Sequence, residues 1–427
     1  VPGAVDGWWA LHQRFGSAEW RTLLEPAARL AEQGAPVPPY IAGLWARATR
    51  LADQPGFAGT FLPGGRPPEV GEVFRNRDLA RTLRRIAEGG RTIFYEGEIA
   101  LEVERFCARV GCHLTAADLA AHRAEWVDPI SVDFHGYTVH QIPPNGQGLA
   151  LLQMLRILEP YDLRSMGHNS AAYLHHLIEA KKIAYEDRAR FYADPHFAEV
   201  PVERLLSSEY AAQRRGLLDP SRARTDVDPG DPRAGRGGTI NLAVGDAEGN
   251  LISLIQSNYA GFGSGLVPDG LGFGLQDRGA GFTIDPGHPN VYAPGKRPFH
   301  TIIPGFVTRG GAPYLAFGVM GGDVQPQGQL QVFLNHVLFD MDVQAAGDAA
   351  RWRHEGSTEP SWPAGRRMTE GGCVSLERGI GESARERLRE LGHNMCDAAW
   401  THFGGYQAVL WDQAKRVYWG ATETRVD

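Results

Sequence analysis

A chain of 427 residues that is 43% hydrophobic and 22% charged has the composition of a globular protein able to bury a large core. Its formal net charge of −7 argues against nucleic acid as a general partner, and no apolar run is long enough to cross a bilayer. No Pro/Ser-rich linker divides it, so one large core or two intimately packed halves is expected.

Residues 1–125 read as mostly helical, with Ser17 or Asn76 as helix starts and Leu79, Leu83 and Ile86 at helix spacing. Thr115 and Asp118 have the spacing of a capping box, with Asp in place of the usual Glu or Gln. Alternating apolar positions over 130–142 predict a strand. It is closed by Pro143-Pro144-Asn145-Gly146-Gln147-Gly148, a Gly/Pro turn into a helix over 149–158. Residues 170–192 predict a long helix. His175, His176 and Glu179 fall within about one turn of it, but no third ligand group accompanies them, so they read as packing and surface residues with no metal. Glu186, Asp187 and Arg188 read as a charged helix face. Cys107, Cys112, Cys373 and Cys396 lack paired CxxC spacing, which argues against zinc. Either a Cys107–Cys112 disulfide or unpaired buried thiols in a reducing compartment fits them.

Between 218 and 238 the chain turns polar and poor in large apolar residues, as suits an exposed processing loop or a plain surface loop. Gly237-Gly238 then opens a strictly alternating run. Ile240, Leu242 and Val244 point one way, and Thr239, Asn241, Ala243 and Gly245 the other. Asp246 to Asn250 is turn chemistry, and a hairpin centred on Glu248 pairs Thr239 with Ser257, so two hydroxyls meet at its open end. A threonine there becomes a nucleophile if cleavage of the Gly238–Thr239 bond frees its α-amine, whose pKa of about 8 suits a general base. The plain alternative is a loop entering a strand.

Residues 261–274 are glycine-rich but carry neither a Walker lysine nor a GxGxxG turn, so the glycines serve close backbone contacts and no cofactor is expected. An apolar strand over 314–319 leads to Gly321-Gly322 at a strand-to-helix turn. Asp323 orients that loop, and Gln325 and Gln327 read as exposed helix-start residues. Helices over 343–353 and 381–391 and a hairpin of 408–412 with 416–419 complete the chain. Helices before and after paired strands make the expected class α+β, a layered αββα sandwich.

Several ordered blocks, TINLAVGDAEGN, HPNVYAPGKRPFHTIIP, GVMGGDVQPQGQLQVFLN, FYEGEIA, LTAADLAAH, PPNGQG and EAKKIAYEDRARFYADP, resemble the γ-glutamyltranspeptidase family of N-terminal-nucleophile hydrolases over nearly the whole sequence. The resemblance implies a four-layer αββα fold. It divides the chain into a large-subunit-like part, 1–238, lacking the family's N-terminal segment, and a small-subunit-like part, 239–427, the two intimately packed. It further implies cleavage between Gly238 and Thr239, Thr239 as nucleophile, Ser257 and Asn241 hydrogen-bonded around it, and Gly321 and Gly322 as the oxyanion pair, with one such donor worth about 3 kcal/mol. The loop 143–148 lies near the substrate in relatives.

The substrate positions depart from the family. Gln276 matches the family's glutamine, but no equivalent of its ammonium-binding aspartate stands near Ala280 or Gly281. Tyr259 replaces an asparagine, and His300-Thr301 replaces the serine pair that grips the α-carboxylate. Losing the ammonium partner costs a γ-glutamyl substrate about 2 to 5 kcal/mol in a buried site. The pattern resembles the divergent branch that includes oxamate amidohydrolases and cephalosporin-acylase-like enzymes. The expected function is therefore self-processing threonine amide hydrolysis on a small substrate other than a standard γ-glutamyl compound. A γ-glutamyltransferase or glutathione hydrolase, an unprocessed noncatalytic scaffold, and a biosynthetic member with unusual acyl cleavage are the alternatives. The implied partners are a small-molecule amide and the two fragments held together after cleavage, with a homodimer left open and neither nucleic acid nor membrane. The expected location is cytoplasmic, with periplasmic or secreted left open because the family's N-terminal piece is out of view.

Overall fold

The computed structural model describes residues 1–226, 238–357, 359–361, 368, 370–397 and 403–425. The predicted processing loop falls largely outside these. By its contacts the chain forms two compact units, Val1–Trp126 with Asn258–Asp277, and Val127–Ser257 with Arg278–Asp427, a division that does not follow the 238/239 boundary.

The first unit is helical. It contains α1 (Ala4–Phe15), α2 (Trp20–Gln33), α3 (Arg77–Tyr95), α4 (Glu98–Val110) and α5 (Ala116–Ala121). Leu83, Ile86, Phe94, Val103 and Phe106 share one core with Leu24 and Leu271. Asn76 caps α3 by accepting from the Leu79 amide at 2.9 Å, and its own amide holds the Gly272 carbonyl at 2.8 Å. A Cβ on Gly272 would lie 2.2 Å from the Leu79 nitrogen, so glycine lets this loop seat on the helix start. Ser17 caps nothing, since α2 starts after Glu19. The Thr115–Asp118 capping box is present.

The second unit is built on strands. The predicted strand 130–142 is a hairpin, β1 (Ile130–Phe134) and β2 (Tyr137–Gln141), because His135 and Gly136 both take positive φ and turn the chain in two residues. Next come α6 (Gly148–Leu158), α7 (Ala171–Phe191), the hairpin β3 (Gly238–Gly245) and β4 (Leu251–Tyr259), β5 (Gly305–Arg309), β6 (Ala312–Met320) and α8 (Gln325–Phe339). The chain closes with α9 (Val343–Asp348), β7 (Trp352–Glu355), β8 (Cys373–Leu376), α10 (Glu382–Glu390), β9 (Gly405–Asp412) and β10 (Val417–Thr422). The predicted helix 343–353 thus stops early, and its tail is strand β7.

Six strands form one antiparallel sheet in the order β10-β9-β6-β5-β2-β1. Leu315, Phe317 and Val319 of β6 join the core formed with α6, α7 and α8. The alternate residue Gly318 faces the β3–β4 hairpin, which makes a second strand layer. The result is an α+β sandwich. Ser253 of β4 donates to the Phe317 carbonyl at 3.0 Å, and Tyr418 lies over Gly245 and donates to the Asp246 carbonyl at 2.8 Å. The alternation of β3 is as predicted, but Ile240, Leu242 and Val244 form its exposed face, while Asn241 turns in toward β6.

Helix α7 is buried on nearly all sides, so Glu186, Asp187 and Arg188 are interior residues, not a solvated face. Burial of these charges is tolerated because they are partnered: Asp187 accepts from Gln153 at 2.8 Å and Tyr210 at 2.9 Å, and Arg188 pairs with Glu359 at 2.5 Å. Gln325 and Gln327 are likewise fully buried: the Gln325 side chain accepts from the Ile303 amide, and Gln327 holds the backbone of His354. Cys373 and Cys396 form a disulfide, whereas Cys107 and Cys112 are free. Sequence spacing carries no sign of this pair. It arises because residue 395 forms a bridge with Val374, bringing positions 23 apart side by side.

Candidate active site

At the open end of the hairpin the Thr239 hydroxyl donates to the Ser257 hydroxyl at 3.1 Å. At the closed end the Asp246 amide donates to the Asn250 carbonyl at 3.1 Å, so both ends agree with a turn centred on Glu248. Asn241 does not reach the threonine. Its amide lies on β6, where a Cβ at Gly318 would come within 2.2 Å of its oxygen, and neither amide atom has a hydrogen-bond partner among the described residues. Only glycine at 318 lets the hairpin sit this close to the sheet. Ser257→Ala removes the acceptor of the Thr239 hydroxyl bond and is expected to cost about 1 kcal/mol of stability, measured by thermal melts.

Strand β6 ends in Met320 and turns through Gly321 at φ 133° and Gly322 at φ 67°, backbone that favours glycine. A side chain at 321 would strike Val324 at 2.5 Å and approach Gly404 at 3.3 Å. Gln147, fully buried in the loop before α6, ties this turn down: its amide donates to the Gly322 carbonyl at 2.8 Å and the Thr301 carbonyl at 2.9 Å, and its oxygen accepts from Arg188 at 2.7 Å. One side-chain nitrogen thus joins the diglycine to the 300–301 segment. Asp323 is committed elsewhere, with its carboxylate 3.4 Å from Arg353 and its carbonyl accepting from Tyr185.

Thr301 is buried and accepts from the Arg278 guanidinium at 2.9 Å. The ring of His300 packs against Gly146, and its backbone amide donates to the Asn145 carbonyl at 3.1 Å. Burial first, then the Arg278 and Arg297 charges, push the His300 pKa down to about 3, and burial with Lys182 and His175 pushes His393 down to about 2. Both rings are therefore neutral in the fold, while the unfolded chain protonates them near 6.5. The unfolded state binds more protons as pH falls, so this stability is fully present above pH 6.5 and is lost as acid is added toward pH 3. The slope is up to about 1.4 kcal/mol per pH unit per group. Thermal melts should show Tm falling steadily from pH 7 to 4, and a flat profile would contradict the burial of these rings.

Behind the turn lies a polar framework that sequence pattern did not reveal. Arg351, buried, donates to the Phe403 and Gly404 carbonyls and pairs with buried Glu423 at 2.6 Å, which fixes Gly404 against Gly321. Lys181 directs its Nζ at His354 Nδ1, the His354 carbonyl and Ser357 at 2.7 to 3.0 Å. The one available signal was the density of charged residues in a segment also rich in aliphatics. Tyr259 and Gln276 belong to the first unit. There Tyr259 takes φ 79°, and the turn it starts is held by the Ala260 amide donating to Asp277 at 3.0 Å.

The metal question raised by His175 and Glu179 gains a third donor from far along the chain, His393. His175 Nε2 donates to the Asp219 carbonyl at 2.7 Å, its Nδ1 accepts from His393 at 2.8 Å, and Glu179 is paired with Lys182 at 2.8 Å. His176 turns away to the Ala172 carbonyl.

A family model, Gamma-glutamyltranspeptidase, matches residues 1–427. The glutathione hydrolase-like YwrD proenzyme of Bacillus subtilis is 39% identical over 360 residues, covering 82% of this chain and 66% of that protein. The oxamate amidohydrolase proenzyme of Klebsiella pneumoniae is 33% identical, covering 100% of this chain and 79% of its own length. Among solved structures, cephalosporin acylase from Bacillus halodurans superimposes with a TM-score of 0.90 at 40% identity, covering 100% of this chain and 77% of that one. The chain thus spans roughly two thirds to four fifths of these relatives.

Proposed function

The chain belongs to the γ-glutamyltranspeptidase family, and from that premise we propose that it is a self-processing amidohydrolase with Thr239 as nucleophile. The observation that carries this reading is the Thr239–Ser257 hydroxyl pair at the mouth of the hairpin. In maturation the Thr239 oxygen attacks the Gly238 carbonyl, the peptide nitrogen leaves as the α-amine, and water hydrolyses the resulting ester. In turnover that amine takes the hydroxyl proton as the oxygen attacks a substrate amide, and passes it to the departing amine. Water then resolves the acyl ester. The amides of Gly321 and Gly322 face the developing oxyanion, and Ser257 sets the threonine rotamer.

Large- and small-subunit-like fragments would stay joined, since β1 and β2 from the first pair in one sheet with β5 from the second. A substrate other than a standard γ-glutamyl compound is supported by Tyr259, Ala280, Gly281, His300 and Thr301 standing where the family pattern differs. The names of relatives, oxamate amidohydrolase and cephalosporin acylase, agree with that choice, while glutathione hydrolysis is the second reading because one relative is named glutathione hydrolase-like. Among the described residues no helix is long and apolar enough to cross a membrane. The Cys373–Cys396 disulfide favours an oxidising compartment, while Cys107 and Cys112 are free thiols.

Denaturing electrophoresis with N-terminal sequencing tests maturation. Two fragments, the second beginning Thr-Ile-Asn-Leu, are expected, and an intact chain in active protein would overturn the mechanism. Oxamate, glutaryl and γ-glutamyl amides then rank the acyl group.

A further inference from the structure

We propose that the Cys373–Cys396 disulfide is a redox-sensitive clamp: closed, it seats residues 219–225 in a slot against α7, and its reduction by a dithiol frees that strap. The strap lies in the last described stretch before the Gly238–Thr239 junction. On the helix side of the slot, the Asp219 carbonyl accepts from His175 at 2.7 Å, the Arg224 amide donates to Glu179 at 3.1 Å, and the Arg224 carbonyl accepts from Lys182 at 2.9 Å. All three of these side chains are buried, so the polar wall they make is turned to the strap and not to solvent.

The opposite wall consists of two arms from late in the chain. In one, the Gly371 amide donates to the Thr225 carbonyl at 2.6 Å; in the other, the Leu391 carbonyl accepts from the amide of buried Ala223 at 2.6 Å. Gly371 takes φ 74°, and a Cβ there would lie 2.8 Å from the Arg224 carbonyl oxygen, so glycine is what lets this arm close. Both gripping residues lie in turns, which by themselves hold their place weakly.

The bridge ties one arm to the other. Cys373 closely follows Gly371 at the start of β8, and Cys396 follows Leu391 and His393 on the second arm. Besides the disulfide, the arms meet in an isolated bridge, with the Val374 amide donating to the Asn394 carbonyl at 2.7 Å and the Cys396 amide to the Val374 carbonyl at 2.8 Å. Cys396 is exposed and Cys373 half-buried, and an exposed disulfide is the kind that reductants open. A thiolate of the dithiol attacks Cys396 Sγ, and the S–S electron pair leaves on Cys373, which takes up a proton. The second thiol of the reductant, giving up its proton, then displaces Cys396 as a thiol, so two protein thiols and one cyclic disulfide of the reductant result. The arms are then free to part, and the strap loses the wall that faces α7.

The test is hydrogen exchange of the purified protein, read by mass spectrometry with and without dithiothreitol. Reduction should speed exchange over residues 219–225 by about tenfold or more while α7 stays protected, and reoxidation should restore the slow rate. Replacing both Cys373 and Cys396 by Ser should give fast exchange that no longer responds to dithiothreitol. Gly371→Ala should loosen the strap with the bridge intact. An unchanged rate in the strap on reduction, or a rise of equal size throughout α7, would overturn the clamp, the second because the bridge would then hold the whole unit and not the strap. Uncleaved Thr239→Ala should show the same redox response, which keeps this outcome separate from the mechanism proposed for Thr239.

Discussion

Thr239→Ala should yield a single uncleaved polypeptide with no acyl-transfer activity. The substitution removes the one oxygen proposed both to attack the Gly238 carbonyl and to attack substrate, and no neighbouring group can replace it in both steps. Ser257 holds the adjacent hydroxyl, 3.1 Å away, but has no α-amine of its own to create by cleavage. Loss of a nucleophile of this kind typically costs on the order of 10⁴-fold or more in rate. Thr239→Ser separates the two roles of the side chain. It keeps the oxygen and loses the methyl that stiffens χ1, so slow cleavage and reduced turnover are expected. A split chain from the alanine variant, seen on a denaturing gel, would show that cleavage is not self-directed.

Gln147→Leu is expected to destabilise the second unit by about 3 to 6 kcal/mol and to abolish labelling of the proposed nucleophile Thr239 by electrophiles. The side chain is fully buried and serves three groups: the carbonyls of Gly322 and Thr301 and a guanidinium nitrogen of Arg188. Leucine has similar volume but leaves each of these without that partner, at about 1 to 3 kcal/mol for a buried polar group. The Gly322 turn is also released from its tether, and misplacement by 1 Å at a reacting centre can cost about 100-fold in rate. Gln147→Glu offers a control: it keeps the acceptor for Arg188 and removes the donor for the carbonyls. Thermal melts and probe labelling of both variants distinguish a positioning role from loss of fold, since Glu should retain more stability than Leu while still losing labelling. Equal melting and full labelling in Gln147→Leu would contradict the hub.

The local pattern of the hairpin was enough to pair Thr239 with Ser257, because a period of two and a turn at Asp246–Asn250 leave few registers open. Helix starts at Asn76, Thr115 and Ser170 were legible for the same reason: a cap involves residues three apart. The disposition of charge was not legible. Read as a string, Glu186-Asp187-Arg188 suggests a wet helix face, but α7 lies inside the core and its charges are matched by residues such as Glu359 and Arg214. Likewise, alternation told which residues of β3 share a face but not that the apolar face is the exposed one. That outcome depends on Gly318, more than seventy positions away, being bare enough to receive Asn241.

By itself the sequence determined helix starts such as Asn76 and Thr115, the hydroxyl pair, the diglycine turn and the family, all of which rest on residues adjacent in the chain or on ordered blocks of them. Only the tertiary structure decided that Gln147 joins residues 301 and 322, that Arg278 meets Thr301, and that Cys373 pairs with Cys396. The reason is the short range of the forces involved. A hydrogen bond acts over about 3 Å, so its partner is set by where the chain returns after folding, and neither composition nor periodicity records that return.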